Sequence, residues 1–291
     1  VVPALRLILA QGGQPADESH AADFMRFTAR RGISLTGVWV VPNLAGDRLL
    51  WASLPMVSPG RTLLMFAAPA DVTDPAALAS GVDTVCRYHG ERGIQLAQAL
   101  LDPADSATAD AYVARSFEPV AELLYLQKTI RKASPVPAVP KGLRLATYSA
   151  GTHAAFARGI QDSYQESLDC PPLNGVRDIE DVIAGHKSAG EFDPDDWFVL
   201  TDADDASLGV LLLSRTGSGD GMELVYLGLA PAARGRGLGD YLFRQAEARA
   251  AAVKMRLMSL AVDSINAPAI ALYHRHGMQQ IASKRALMRR L

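Results

Sequence analysis

The chain has 291 residues, the length of one large domain or of two of about 140. Lys and Arg number 29 and Asp and Glu 31, in near balance both within residues 1–135 (12 and 13) and within the remainder (17 and 18), so no basic nucleic-acid face is implied. No apolar run approaches the ~18–20 residues that span a bilayer, and two cysteines, Cys86 and Cys170, make no disulfide framework, so a cytoplasmic protein off the membrane is expected.

In chain order, Leu5–Gln11 reads as a first strand, with no basic leader or cleavage site before it. Ala16–Arg31 reads as an amphipathic helix with Phe24 and Phe27 inward. Leu35–Val41, Leu49–Val57 and Thr62–Ala67 form a strand meander, broken at the turn formers Asn43–Asp47 and Ser58–Gly60. Pro75–Glu91 is a helix, Gln95–Leu101 a strand, Ala104–Ser116 a helix and Glu122–Ile130 a closing strand. Arg131–Lys141 (RKASPVPAVPK) has three prolines and little to bury, the composition of a stiff linker.

Beyond it, Leu143–Ser149 reads as a strand and Thr152–Ser167 as a helix. A loop, Leu168–Arg177, precedes a second helix, Asp178–Ser188. Trp197–Thr201 and Ser207–Arg215 pair as a hairpin, and Met222–Leu229 is the next strand. A glycine-rich turn then opens into a helix over Asp240–Val253. The strand 256–262, a helix over 267–276 and a last strand near Arg285–Leu291 complete the order. Strands that start antiparallel and later alternate with helices imply an α/β chain with mixed sheets flanked by helices.

The turn after Met222–Leu229 carries the chemistry. In MELVYLGLAPAARGRGLGD a strand feeds a helix N-terminus, whose unpaired N–H groups and partial positive charge suit a phosphate. Gly235, Gly237 and Gly239 let backbone approach an anion, Leu238 lies between them, and Arg234 and Arg236 add charge. A dinucleotide fingerprint would need a third glycine where Asp240 stands. The spacing that fits is Arg-x-x-Gly-x-Gly, from Arg234, Gly237 and Gly239. Downstream, DSINAPAIALYHRHGM places Asn266 at a helix start, Pro268 in its first turn, Tyr273 within it and Gly277 at its close.

Together these motifs resemble the two signatures of the GCN5-related N-acetyltransferases, the GNAT superfamily. The resemblance implies acetyl-CoA as co-substrate and a sheet splayed between its fourth and fifth strands, where Gly228, a glycine within a strand, is expected to mark a bulge or kink. Sliding the sequence by 161 residues sets Asp102 on Asp263, Tyr112 on Tyr273 and Ser116-Phe117 on Gly277-Met278. The first half is therefore a second, divergent copy. It puts Thr73, Ala76 and Leu78 where Arg234, Gly237 and Gly239 stand, so it is expected to have lost the coenzyme. The expected domains are a degenerate copy at 1–130, the linker at 131–141 and a catalytic domain at 142–291. This tandem arrangement is similar to that of mycothiol synthases.

Acyl transfer needs a held thioester, an oxyanion donor and proton management. The edge of the strand through Leu227, Gly228 and Leu229 can pair with the amide-like pantetheine, and a backbone N–H near Gly228–Leu229 can meet the oxyanion. Tyr273 stands at the family's acid position, and a phenol is protonated at neutral pH. Glu223, on an otherwise apolar strand, is the candidate base, acting directly or through water; the mycothiol synthases use a glutamate similarly placed. The family builds its acceptor pocket over Tyr164–Arg177, which here offers Tyr164, Glu166, Asp169 and Cys170. An amine of a small molecule or peptide is the expected acceptor. His274 and His276 read as helix-end caps, and His153 and His186 have no evident partner. No spacing suits a metal. The chain is expected to be a monomer or homodimer. The rivals are a non-catalytic acyl-CoA sensor and a nucleotide-dependent oxidoreductase.

Overall fold

Apolar alternation and longer amphipathic runs fold as sheet and helix over the residues described by this computed structural model, 1–30, 34–130, 135–217 and 219–291. The order is α1 Val2–Ile8, α2 Glu18–Arg30, β1 Trp39–Pro42, β2 Leu49–Ser58, β3 Thr62–Ala67, α3 Pro75–Gly90, β4 Leu96–Leu101, α4 Ser106–Val113 and β5 Glu118–Thr129. It continues with β6 Arg144–Thr147, α5 His153–Ser163, α6 Ile179–Lys187, β7 Trp197–Thr201, β8 Ser207–Arg215, β9 Gly221–Leu229, α7 Leu238–Ala252, β10 Leu257–Asp263, α8 Ala267–Arg275 and β11 Gln279–Arg290. Residues 131–134 of the expected linker, and Arg31 at the end of the expected second helix, lie outside the described residues.

Two expectations near the N-terminus are corrected. The first element is a helix, α1, because Ala4, Leu5 and Ile8 are buried at helical spacing and Pro3 sits in a first turn, where no N–H is needed. Phe27 is 47% exposed. It falls off the stripe of Ala21, Phe24, Met25 and Thr28, which faces inward at helical intervals.

The chain forms two compact units, residues 1–121 with 284–291, and residues 122–283. In the first, β1, β2 and β3 pair antiparallel, β3 and β4 parallel, and the end of β11 lies antiparallel to β4, Arg285 opposite Leu101. In the second, β5 is antiparallel to β10, β10 parallel to β9, and β9, β8, β7 and β6 follow antiparallel. These bounds depart from the expected 1–130 and 142–291: each copy's last strand joins the other copy's sheet. β5 and β11 are each 12 residues long and stand 161 residues apart, so face pattern cannot tell which edge either one takes.

The repeat extends to single hydrogen bonds. Asp105 caps α4 through Thr108 N at 3.0 Å, and Asn266 caps α8 through Ala269 N at 3.3 Å. Phe117 N donates to Tyr112 O at 3.1 Å, and Met278 N to Tyr273 O at 3.0 Å. Ser116 and Gly277 both turn left-handed between them, at φ 63° and 78°.

The register of the second unit opens its sheet. Leu212 faces Tyr226 and Leu213 faces Leu224, which leaves Val225 as a bulge. Pairing of β9 with β10 covers only Gly221 to Leu224. From Val225 onward the strands part. Gly228 is not the bulge. A Cβ there would lie 2.5 Å from Ser163 Oγ, so glycine lets α5 sit close on β9.

Candidate active site

The glycine loop presents an open helix start. Gly235 and Gly237 have φ of 71° and 74°, a region that favours glycine, and no heavy atom lies within 4 Å of the Cβ that either lacks. Gly237 begins α7, and no side chain among the described residues caps it, so the first amides lack a capping acceptor. Leu238 is buried beneath, and a Cβ added at Gly239 would come into ordinary van der Waals range of Leu272 and Leu229. In the first unit the position matching Gly235 is Asp74. Its carboxylate accepts Ala77 N at 2.9 Å and closes the start of α3.

Arg234 is not a free cation here. Its guanidinium donates to Gln165 O (2.7 Å), Ser163 O (3.1 Å), Glu166 O and Leu229 O (both 3.2 Å), tying the end of α5 to the loop. Arg236 stays exposed. With Arg244, Arg275, Tyr241 and the linker residues Pro137 and Pro140 it lines a cavity of about 620 Å3 at the head of α7. Arg244 and Arg275 escaped the sequence reading, although Arg244 follows Gly237 by seven positions and so shares its helix face.

Beyond the bulge, Leu227 and Leu229 are half-buried on the stretch of β9 that β10 leaves free. Tyr273 is 5% exposed, with its ring 5.6 Å from Phe243. Its hydroxyl makes no hydrogen bond to a described residue. Burial, then the charge of Asp169, pushes its pKa up. Asn266 spends its side chain on the α8 cap. Glu223 is half-buried, and burial raises its pKa. The bulge at Val225 ends the simple alternation that would put Glu223, Val225 and Leu227 on one face.

The loop expected to take the acceptor is pinned to β10. Cys170 N donates to Asp263 Oδ2 at 3.1 Å, and Asp263 N to Asp169 Oδ1 at 3.4 Å. Burial raises the Asp169 pKa and lifts the Cys170 thiol to about 12, so Cys170 is no thiolate. Burial likewise takes Tyr164 to about 12. Glu166 is exposed and contributes its carbonyl, not its carboxylate. The sequence reading missed Tyr226, whose hydroxyl shares a hydrogen bond with Ser163 Oγ at 2.7 Å. His186 stacks on Tyr226 at 5.4 Å, and burial lowers its pKa to about 4. His153 does have partners, Tyr148 at 2.8 Å and Glu180 at 2.9 Å. His274 Nδ1 bonds Met278 O, whereas His276 reaches back to Asp240 at 2.8 Å. Among the described residues no group of His, Cys, Asp and Glu is placed to hold a metal, and no helix is long and apolar enough to cross a membrane.

The description "Acetyltransferase (GNAT) family" fits residues 160–278. No curated protein matches the sequence. Among solved structures the chain is similar to a GCN5-related N-acetyltransferase from Sphaerobacter thermophilus, with TM-score 0.59 and 19% identity over 99% of this chain and 90% of that one. It is similar to a tandem GNAT protein from the clavulanic acid biosynthesis pathway, with TM-score 0.52 and 16% identity over 99% of this chain and 92% of that one. It also matches a GCN5-related N-acetyltransferase from Kribbella flavida, with TM-score 0.51 and 16% identity over 81% and 89%. At such identities the likeness concerns fold. Residues 160–278 thus belong to the GNAT acetyltransferase family, within a chain that takes the tandem GNAT fold throughout.

Proposed function

We propose that the chain is an acetyl-CoA-dependent N-acetyltransferase whose chemistry resides in residues 122–283, while the first copy binds no coenzyme. The observation that carries this is the uncapped start of α7 beside the freed edge of β9, against the Asp74-closed start of α3. Acetyl-CoA brings the activated acyl group. The loop amides from Gly235 to Gly239 hold its diphosphate, with Arg236, Arg244 and Arg275 as the nearby cations. The edge from Val225 to Leu229 pairs with its amides, and an N–H near Gly228–Leu229 meets the charge that develops on the carbonyl oxygen.

The acceptor nitrogen forms its bond to the acyl carbon as the carbon–sulfur bond breaks. Glu223, directly or through water, takes the proton that the nitrogen loses, and Tyr273 gives its hydroxyl proton to the departing sulfur. A reducing cytosol suits the free thiols Cys86 and Cys170. Calorimetry with acetyl-CoA, followed by thiol release across a panel of amines, tests the reading. No heat would remove it, and heat without thiol release from any amine would leave a non-catalytic acyl-CoA binder.

A further inference from the structure

One face of the sheet in residues 122–283 packs into a core of Leu126, Met222, Leu224, Met258 and Leu260. The other face carries a row of polar side chains in mid-sheet. Strand pairing sets Ser259 beside both Glu223 on β9 and Gln127 on β5, and sets Ala261 beside Tyr125 one pleat further on. Side chains two apart share a face, so these five point the same way. Glu223, Ser259, Gln127 and Tyr125 are all half-buried, and Ala261 between them is exposed. None of the four polar side chains makes a hydrogen bond to a described residue. Glu223 and Tyr125 are near enough that the carboxylate's charge acts on the phenol. Half-buried polar groups without intramolecular partners keep their hydrogen-bonding capacity open to solvent, so a ligand laid on this face can take the place of water on all four.

The chemistry of the row selects the ligand. Ser259, Gln127 and Tyr125 can each donate and accept, which is what a hydroxyl requires of its neighbours. The only charge in the row is a carboxylate, which repels phosphate and carboxylate ligands and attracts an ammonium. An alkyl amine would leave the other three groups desolvated and unpaired. A ring with hydroxyls around its rim spans adjacent strands about 4.8 Å apart. We infer that this face is the acceptor platform and that its substrate is a primary amine on a hydroxyl-rich skeleton, of amino-sugar type. The inference rests on the acetyltransferase reading above. It gives the first copy a task as well, because Tyr125 and Gln127 lie on β5, the counterpart of β11 in the repeat.

The test is thiol release from acetyl-CoA with D-glucosamine, cyclohexylamine and a lysine-containing peptide. The expected result is a kcat/KM for glucosamine on the order of 10²-fold above that for cyclohexylamine. Ser259→Ala and Gln127→Leu should each lower the glucosamine value about tenfold, mainly through KM, with a clearly smaller loss for cyclohexylamine and no change in the KM for acetyl-CoA. Tyr125→Phe keeps the ring and removes only the hydroxyl, so a loss specific to glucosamine in that variant is not a folding defect. Equal or better turnover of cyclohexylamine or the peptide, or variants that slow every amine alike, would overturn the platform and leave the acetyltransferase intact. Acetyl-CoA binding without thiol release from any amine would remove both.

Discussion

Arg234 sits inside the glycine loop proposed to hold an anion, yet its side chain acts as a clamp. Its four carbonyl partners come from the end of α5 and the residues after it and from Leu229, so it fixes the chain at 163–166 against the glycine loop. Arg234→Met should cost about 1–3 kcal/mol of stability, read as a lower Tm, because a charged donor leaves several carbonyls at once. Arg236→Ala should leave Tm nearly unchanged and weaken acetyl-CoA binding in calorimetry, because that side chain is exposed and makes one long bond, to Ala232 O at 3.4 Å. Tyr273→Phe should lower turnover by ~10²–10⁴ with acetyl-CoA affinity kept, since it deletes only a proton donor. Glu223 makes a pH prediction with a definite sign. Its folded pKa is raised by burial, so the folded state holds the proton more tightly than the unfolded chain, and this side chain's effect on stability worsens as pH rises. Glu223→Gln should therefore raise Tm at pH 7, with the gain vanishing below about pH 4, the ordinary glutamate range. The same variant should remove the acid limb of the wild-type kcat/KM profile along with most of the activity.

At the level of elements, α7 and α3 are the same helix in two copies with opposite starts. Gly237 leaves the first turn of α7 unprotected, and Asp74 fills that of α3. Gly237→Ala forces a side chain to φ 74°, a strain of about 1–2 kcal/mol. Acetyl-CoA affinity should drop in calorimetry, whereas Ala76→Gly in α3 should create no binding, because Asp74 still occupies that helix start. The bulge at Val225 has a comparable effect on β9. It ends the pairing with β10 and turns the strand's second half into an edge that a ligand can join.

For the molecule as a whole, exchange of the last strands makes the compact units differ from the sequence repeats. A fragment of residues 142–291 lacks β5, which leaves the β10 edge from Leu257 to Asp263 unpaired. A fragment of residues 122–283 keeps that pairing. The longer-starting fragment should show a cooperative melt and bind acetyl-CoA, and 142–291 should aggregate or melt without cooperativity. The reverse result would return the domain boundary to the Pro-rich linker.

Local pattern made much of this legible. The strands Thr62–Ala67, Trp197–Thr201 and Ser207–Arg215 agree with their expected bounds, and the α8 motif holds its cap, tyrosine and closing glycine where spacing put them. Each depends on interactions within a few residues, which one window of sequence contains. The α1 segment reads as a strand in sequence because its apolar positions fit either period over seven residues. The sequence by itself determined two copies of one α/β fold and a glycine-rich helix start in only one of them, since periodicity, glycine and capping are local properties. Tertiary structure decided that Arg234 clamps, that β5 and β11 change sheets and that Glu223 lies in a row with Ser259 and Gln127. Those outcomes depend on which distant backbone edge or carbonyl meets each group, and that is fixed only when the chain packs.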